Sequence, residues 1–136
     1  MRLIVIPTEK PSLESGQAVV DKIMSSGLTG AIAFNDLIAH GIMTELSSRA
    51  FTVPTSFIIV GCDNSISPFV NPPLTSVSNK TSEAGKIAFE MIMGVLGEMN
   101  SKNDQIKVLE TLLIERETIG PPCKYRLQWS VLNKIL

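Results

Sequence analysis

Short apolar runs alternate with helical patterns in the first half of this chain, and this alternation constrains its fold more than any other feature. The apolar runs are 2–6, 30–34 and 57–60. Between them, 12–27 and 35–51 carry apolar residues at the three- and four-residue spacing of amphipathic helices. Strands that are apolar throughout and alternate with helices are typical of parallel sheets, in which right-handed crossovers place consecutive strands side by side. The sequence therefore predicts an α/β fold with a parallel sheet flanked by helices.

The ends of these two helices carry recognisable capping residues. Ser12 is a plausible N-cap of the first helix, and Gly27 is a plausible stop. Either Asn35 or Asp36 caps the second helix, and for Asp36 a capping role is favoured over ligand binding because Asp36 opens the helical stripe. The apolar stripe of the second helix consists of Ile38, Ile42 and Leu46, with Leu37 and Met43 to either side.

The second half of the chain has a different pattern. The proline-rich segment 71–77 leads into a short strand, and 81–97 predicts a helix that ends near Gly97 or Asn100. Residues 106–120 predict one or two extended segments rich in Ile, Val and Leu. The helical stripe, the strongest in the chain, consists of Ala84, Ile87, Ala88, Met91, Ile92, Val95 and Leu96.

The composition is that of one globular domain. Of its 136 residues, 44% are hydrophobic and 18% are charged, and every apolar run is far shorter than the roughly 18 residues of a membrane span. Two cysteines, Cys62 and Cys123, give no disulfide framework and predict reduced thiols in a cytoplasmic protein. The net charge of −1 divides into −4 over residues 1–122 (nine basic against thirteen acidic) and +3 over 123–136. Three scattered cations favour a solvated tail over a nucleic-acid contact.

Polar side chains follow two of the predicted strands where each strand ends. Asn35 and Asp36 come after 30–34, and Asp63 and Asn64 come soon after 57–60. Ligands of open parallel sheets bind outside the carboxyl ends of the strands. If the two strands are neighbours, Asn35 and Asp63 face the same crevice. An Asx-turn is an equally good interpretation of Asp63, and the residues alone leave these two open.

The sequence lacks the side-chain groupings of common catalytic and metal sites. Cys62 lies beside an acid, but the single histidine, His40, has no evident orienting partner. The cysteines and His40 lack zinc-site spacing, and no glycine-rich nucleotide-binding motif is present. We therefore predict no catalytic residues, no metal, no cofactor and no enzymatic activity.

Several segments together resemble the effector-binding core of LacI/GalR-type transcriptional repressors. They are GAIAF running into Asn-Asp, a helix carrying Ala-His-Gly, Val-Pro, FIIVG running into Asp63-Asn64, PPLTSV, and finally ERET near the end of the chain. Each piece is loose alone, but their order over residues 12–122 is specific. The resemblance covers most of the chain and stops after Pro122.

This resemblance implies a two-lobed, periplasmic-binding-protein-like fold of type I, here incomplete. It implies that residues 1–72 form the C-terminal lobe, 73–105 a crossover strand and helix of the N-terminal lobe, and 106–122 a return strand, while 123–136 is a divergent tail. The function implied is sensing of a small-molecule effector, a sugar or related metabolite, by a cytoplasmic homodimer. DNA would be bound only through an N-terminal helix-turn-helix missing from this sequence, with no role for a membrane.

The resemblance also assigns individual residues. Asn35 and Asp63 match hydroxyl-binding groups, while His40 and Phe69 match positions near the subunit interface. Cys62 departs from the pattern, because it replaces an aromatic residue, and Pro11 stands where an aromatic often stacks on the ligand.

Two further expectations follow. A fragment of a periplasmic sugar-binding receptor of an ABC transporter is the alternative function, since such receptors share the fold. The helix at 81–97 would lack its usual sheet, so its large apolar side chains predict self-association, domain exchange or poor solubility of this chain alone.

Overall fold

The computed structural model describes residues 3–96 and 106–121. Its helices are α1 Leu13–Ala18, α2 Val20–Ser25, α3 Asp36–Ser48 and α4 Thr81–Leu96. Its strands are β1 Gly30–Ile32, β2 Ile58–Cys62, β3 Thr75–Ser78 and β4 Leu112–Ile114.

The four strands form one sheet in the order β1-β2-β3-β4. β1 pairs with β2 in parallel, and β2 pairs with β3 in parallel. β4 is antiparallel to β3. The predicted α/β fold with consecutive strands side by side is confirmed, and the carboxyl ends of β1, β2 and β3 lie at one edge of the sheet.

The first predicted strand is wrong for the part that the structure describes. Residues 3–6 lie in no strand, and Leu3 and Val5 are more than 80% exposed. A strand requires a hydrogen-bonded neighbour, and β2 is the only strand that pairs with β1 within residues 3–96 and 106–121. An apolar run without a ladder partner does not form a strand.

The first predicted helix is present but divided. It breaks at Val19 into α1 and α2. The Ser12 side chain accepts a hydrogen bond from the Ser15 N–H, so the predicted N-cap is confirmed. Gly27 has a φ of +64°, which is the left-handed conformation expected of a residue that ends a helix.

The hydrophobic core lies between the sheet and helices α1 to α3. Gly16 and Gly41 let α1 and α3 approach closely, since a Cβ on Gly41 would lie 2.0 Å from the Leu13 carbonyl oxygen. The predicted stripe of α3 is buried as expected. The fully or nearly buried apolar residues are Val20, Ile23, Ala33, Ile38, Ala39, Ile42, Met43, Leu46, Phe57, Ile59, Val70 and Leu74.

Helix α4 contrasts with this core, because none of its residues is buried. Phe89, Val95 and Leu96 are all more than 60% exposed. Two large apolar side chains at and just after the end of β1 are also uncovered, since Ile32 and Phe34 are 83% and 80% exposed. No helix within the described residues is long and apolar enough to cross a membrane.

Several predictions fall partly or wholly outside the described residues. They are the end of the α4 helix near Gly97 or Asn100 and the tail at 123–136. Within 106–121, only Leu112–Ile114 of the predicted extended segment is a strand. The division into lobes at residues 72, 105 and 122 stays a prediction.

Candidate functional site

The carboxyl end of β2 leads directly into a turn with an unusual backbone. Asp63 has a φ of +96° and Asn64 a φ of +52°. Positive φ values are uncommon outside glycine and are held in place only when surrounding contacts fix them. The turn therefore presents the Asp63 side chain at the edge of the sheet where ligands of this fold class bind.

Asp63 has a local partner and also faces open space. Its Oδ1 accepts a hydrogen bond from the Ser65 N–H at 2.9 Å, which is the Asx-turn that the sequence left open. A carboxylate accepts about four hydrogen bonds, so this bond leaves capacity for a ligand. Asp63 lines an open pocket of about 800 Å³ between this turn and the start of α4. The other lining residues are Asn64, Ser65, Ser78, Lys80, Thr81, Ser82, Glu83 and Lys86.

The charges around this pocket balance. Two acids, Asp63 and Glu83, face two bases, Lys80 and Lys86. Lys80 Nζ lies 3.7 Å from Glu83 Oε2, so these two side chains partly neutralise each other. Hydroxyl groups supply much of the remaining lining, and such a surface suits a polar ligand that offers several hydrogen-bonding groups.

Asn35 performs the capping role that the sequence favoured for Asp36. Asn35 Oδ1 accepts from the Ile38 N–H at 2.9 Å, and Asn35 Nδ2 donates to the Pro11 carbonyl at 3.4 Å. The preference for Asp36 as the cap was wrong, because Asp36 is the first residue inside α3 and its side chain turns into the protein. An amide has two donors and two acceptor lone pairs, so these bonds use half the capacity of Asn35.

Asp36 is fully buried, and both of its carboxylate oxygens are hydrogen-bonded. Oδ1 accepts from the Ser76 hydroxyl at 2.6 Å, and Oδ2 accepts from the Ser65 N–H at 2.9 Å. Ser76 Oγ in turn accepts from the Asn64 N–H at 3.1 Å. Asp36 thus joins the start of α3 to β3 and to the turn that carries Asp63.

The segment after β4 holds the other side of the same turn. Arg116 donates through Nη2 to Asn64 Oδ1 at 2.7 Å and through Nη1 to the Leu74 carbonyl at 2.6 Å. Asn64 Oδ1 also accepts from the buried Ser67 hydroxyl at 2.8 Å. The Arg116 guanidinium therefore joins the turn at Asn64 to the segment after β4, which lies more than forty residues further along the chain.

A second buried contact joins the returning chain to the centre of the sheet. The Thr118 hydroxyl donates to the Ile59 carbonyl at 2.7 Å and accepts from the Thr75 N–H at 2.9 Å. Thr118 and Thr75 are both completely buried. The segment after β4 is consequently fixed to β2 and β3.

The structure places Asn35 and Asp63 at the ends of neighbouring parallel strands, as expected. Only Asp63 lines the pocket. A single N–H, that of Ser65, donates both to Asp63 and to Asp36, the residue after Asn35. The connection between the two strand ends therefore runs through Asp36.

The predicted interface residues have different surroundings. Phe69 is 86% exposed and follows the turn that carries Asp63. His40 is half-buried on α3, where its carbonyl accepts a hydrogen bond from the Thr44 hydroxyl. Neither observation tests a subunit interface, so both assignments stay predictions. Cys62 is half-buried, and its Sγ lies 3.8 Å from Asn79 Nδ2.

Sequence reasoning gave Asp36 only a capping role, and it assigned no role to the other polar residues that hold the turn or the segment after β4. Asp36, Ser76, Arg116 and Thr118 all lie within segments that carry the family resemblance. One signal was available, because two adjacent polar residues at the start of a helix cannot both be its N-cap. The contacts of Arg116 and Thr118 depend on tertiary pairing, which no local pattern predicts.

The sheet order, the helices on it and the pocket at its carboxyl edge define a periplasmic-binding-protein-like domain. The Periplasmic binding protein-like domain family matches residues 3–119, and this chain belongs to that family. The resemblance to the effector-binding core of LacI/GalR-type regulators is confirmed by the relatives that follow.

Relatives of this chain include transcriptional repressors. The HTH-type transcriptional repressor PurR of Vibrio cholerae is 31% identical over 104 residues, which are 73% of this chain and 30% of PurR. Among solved structures, a LacI family transcriptional regulator from Enterococcus faecium with bound ribose has a TM-score of 0.81 and 25% identity. Another from Enterococcus faecalis, also with bound ribose, has a TM-score of 0.78 and 28% identity.

The match covers these relatives only in part. The chain spans about a third of the length of the curated relative given above and under half of the two solved chains, 45% and 44% respectively. The two structural matches extend over 90% and 88% of this chain, respectively.

Proposed function

We propose that this chain is the small-molecule sensing part of a LacI-type transcriptional repressor, with Asp63 as a direct contact to the effector. The observation that carries the proposal is the half-buried Asp63 carboxylate on a left-handed turn at the carboxyl edge of a parallel sheet, facing an open pocket. The relatives are transcriptional regulators, and two similar solved structures contain bound ribose.

The chemistry of Asp63 suits a hydroxylated effector. An ionised carboxylate accepts hydrogen bonds from two adjacent hydroxyl groups, and each such bond is worth about 1.5–3 kcal/mol. A ligand without those hydroxyls leaves the carboxylate unpaired, so the site discriminates between sugars and less polar molecules. Asn35 adds a second polar group at the end of the neighbouring strand, with its spare donor and acceptor.

Sensing follows from the position of the site between structural units. Residues 73–105 and 106–122 are proposed to cross to and return from an N-terminal lobe that completes the cleft. A ligand that contacts both lobes stabilises one relative orientation of them, and this bias reaches a DNA-binding head and a homodimer interface near His40 and Phe69. The proposed protein is cytoplasmic and not an enzyme.

A fragment of a periplasmic sugar-binding receptor is the alternative, and it is less well supported. The relatives given above are regulators, and PPLTSV and ERET fit the regulator pattern. The sequence encoded immediately upstream of Met1 separates the two proposals. A helix-turn-helix there supports the repressor, whereas a secretory signal peptide contradicts it.

The test of the site uses a protein in which this chain is joined to its complete N-terminal lobe and DNA-binding head. We expect Asp63→Asn to raise the Kd for the effector by about tenfold or more, because one charge-assisted hydrogen bond is weakened. Ribose, lactose and cellobiose are the first probes, measured by isothermal titration calorimetry.

Two controls make this result specific. Glu110→Gln removes an equal charge from an exposed position outside the pocket lining and should leave the Kd unchanged. Operator binding measured without effector should be the same for both variants and the unsubstituted protein. An effector response that survives Asp63→Asn in full would contradict the assignment of Asp63.

A further inference from the structure

We propose that Asp36 is a positioning residue that sets the conformation of the turn at 63–65 and thereby aims the Asp63 carboxylate into the pocket. The proposal rests on the proposed function only in taking Asp63 as the group that meets the effector. Its structural content, that a buried carboxylate on α3 holds a left-handed turn after β2, stands independently.

The first support is that Asp36 reaches both halves of the turn. Its Oδ2 accepts from the Ser65 N–H, and its Oδ1 accepts from the Ser76 hydroxyl, which accepts from the Asn64 N–H. Two successive backbone N–H groups of the turn are therefore anchored, directly or through Ser76, to one carboxylate. This carboxylate is completely buried, where hydrogen bonds are electrostatically stronger than in water.

The second support is that Asp36 and Asp63 share one donor. The Ser65 N–H lies 2.9 Å from Asp36 Oδ2 and 2.9 Å from Asp63 Oδ1. The position of that N–H, fixed by Asp36, constrains where the Asp63 carboxylate lies.

The third support is that the backbone conformation needs an external hold. Asp63 and Asn64 both have positive φ values, which disfavour L-residues, and two consecutive such residues persist only when their surroundings fix them. Asp36 supplies that hold from an element that is itself rigid, since α3 is packed into the core.

The fourth support is the space made for this carboxylate. A Cβ on Gly61 would lie 2.3 Å from Asp36 Oδ1. Glycine at this position of β2 therefore allows the carboxylate to lie directly against the strand that leads into the turn. The same strand ends at Cys62, the residue before Asp63.

The test is made on the 136-residue chain and requires no effector. Amide hydrogen exchange of Asn64 and Ser65 is measured by NMR in the unsubstituted chain and in Asp36→Ala, with the Ala33 amide of the sheet as the internal reference. We expect exchange of the Ser65 amide to accelerate by about tenfold relative to Ala33, since the buried one of its two carboxylate acceptors is lost and the turn is no longer held against α3. The Cα and Cβ chemical shifts of Asp63 and Asn64 should also move away from those of a left-handed conformation.

Thr118→Val serves as a control that separates positioning from general stability. It removes a buried hydroxyl that is hydrogen-bonded to β2 and β3, and none of the hydrogen bonds of that hydroxyl goes to the turn at 63–65. We expect it to lower the melting temperature while leaving the relative exchange of Asn64 and Ser65 unchanged. Equal acceleration in Thr118→Val and Asp36→Ala would overturn the proposal.

Ser76→Ala is a second variant, and it tests the positioning role of Asp36 if Asp36→Ala does not fold. It removes the acceptor of the Asn64 N–H but keeps the bond between Asp36 and Ser65. We expect faster exchange at Asn64 and little change at Ser65. A folded Asp36→Ala with turn amides as in the unsubstituted chain, or a Ser76→Ala without a change at Asn64, refutes the role. Absence of effector binding would refute the proposed function and leave these exchange results intact.

Discussion

The contact between α1 and α3 gives the sharpest prediction for the stability of this chain, and the perturbation is Gly41→Ala. An added Cβ at Gly41 would lie 2.0 Å from the Leu13 carbonyl oxygen and 3.1 Å from the Gln17 backbone nitrogen. Both are backbone atoms, so no side chain can rotate to make room. The two helices must separate for the methyl group to fit.

The size of the effect follows from two opposing contributions. A carbon–oxygen contact is comfortable at about 3.3 Å, so the helices must shift by roughly 1.3 Å at this point. Overpacking of this kind costs typically about 1–3 kcal/mol and occasionally more, whereas alanine gains about 0.8–1 kcal/mol over glycine in a helix. Because the obstacle is backbone, we expect a net loss near the upper end, about 2 kcal/mol.

Differential scanning calorimetry measures this loss directly. For a chain of 136 residues, about 1 kcal/mol corresponds to roughly 3–4 °C, so the melting temperature of Gly41→Ala should fall by about 6–8 °C. Gly85→Ala provides the matched control, because a Cβ there meets no atom within 4 Å and the residue lies inside α4. That substitution should leave the melting temperature unchanged or slightly raised and should increase the helical signal at 222 nm.

The pair of glycine variants can refute the reasoning. A Gly41→Ala chain that melts at or above the unsubstituted chain would show that α1 and α3 are not in close contact. Destabilisation of the same size by Gly85→Ala would show that α4 packs against a surface, contrary to its exposure.

Four further predictions follow. Thr118→Val should lower the free energy of unfolding in urea by about 1–3 kcal/mol, because it leaves a buried N–H without its acceptor, whereas the exposed Thr111→Val should change it little. Arg116→Lys should cost about 1–2 kcal/mol in the same assay, because one ammonium cannot reproduce both guanidinium contacts; an unchanged midpoint would contradict this. The Glu14 pKa lies below its usual value because the backbone N–H of Glu14 and, second, the Ser12 hydroxyl donate hydrogen bonds to the carboxylate. The ionised Glu14 therefore stabilises the folded chain at pH values above its usual pKa, and this stabilisation is lost as the pH falls through the lowered pKa. Melting temperatures between about pH 6 and pH 3 should therefore fall less steeply in Glu14→Gln than in the unsubstituted chain. Finally, the uncovered apolar face of α4 should produce concentration-dependent association in light scattering, and a monodisperse monomer with a cooperative calorimetric transition would contradict that.

The sequence alone determined most elements of the first half of the chain, from residue 12 onward, because their signals are local. The apolar periodicity of α3, the cap at Ser12 and the left-handed Gly27 each depend on residues within one or two turns of the chain. Right-handed crossovers predict that the strands 30–34 and 57–60 are parallel neighbours, as β1 and β2 are, so the edge at which Asp63 lies was also predictable.

Only the tertiary structure decided which polar side chain at that edge caps α3 and which one holds the turn after β2. By sequence either Asn35 or Asp36 can cap α3. The outcome depends on Ser76 and Ser65, which lie about forty and thirty residues from Asp36 and both donate hydrogen bonds to its carboxylate in the folded chain. For the same reason an apolar run at residues 3–6 did not become a strand, since strand formation requires a partner that local composition does not supply.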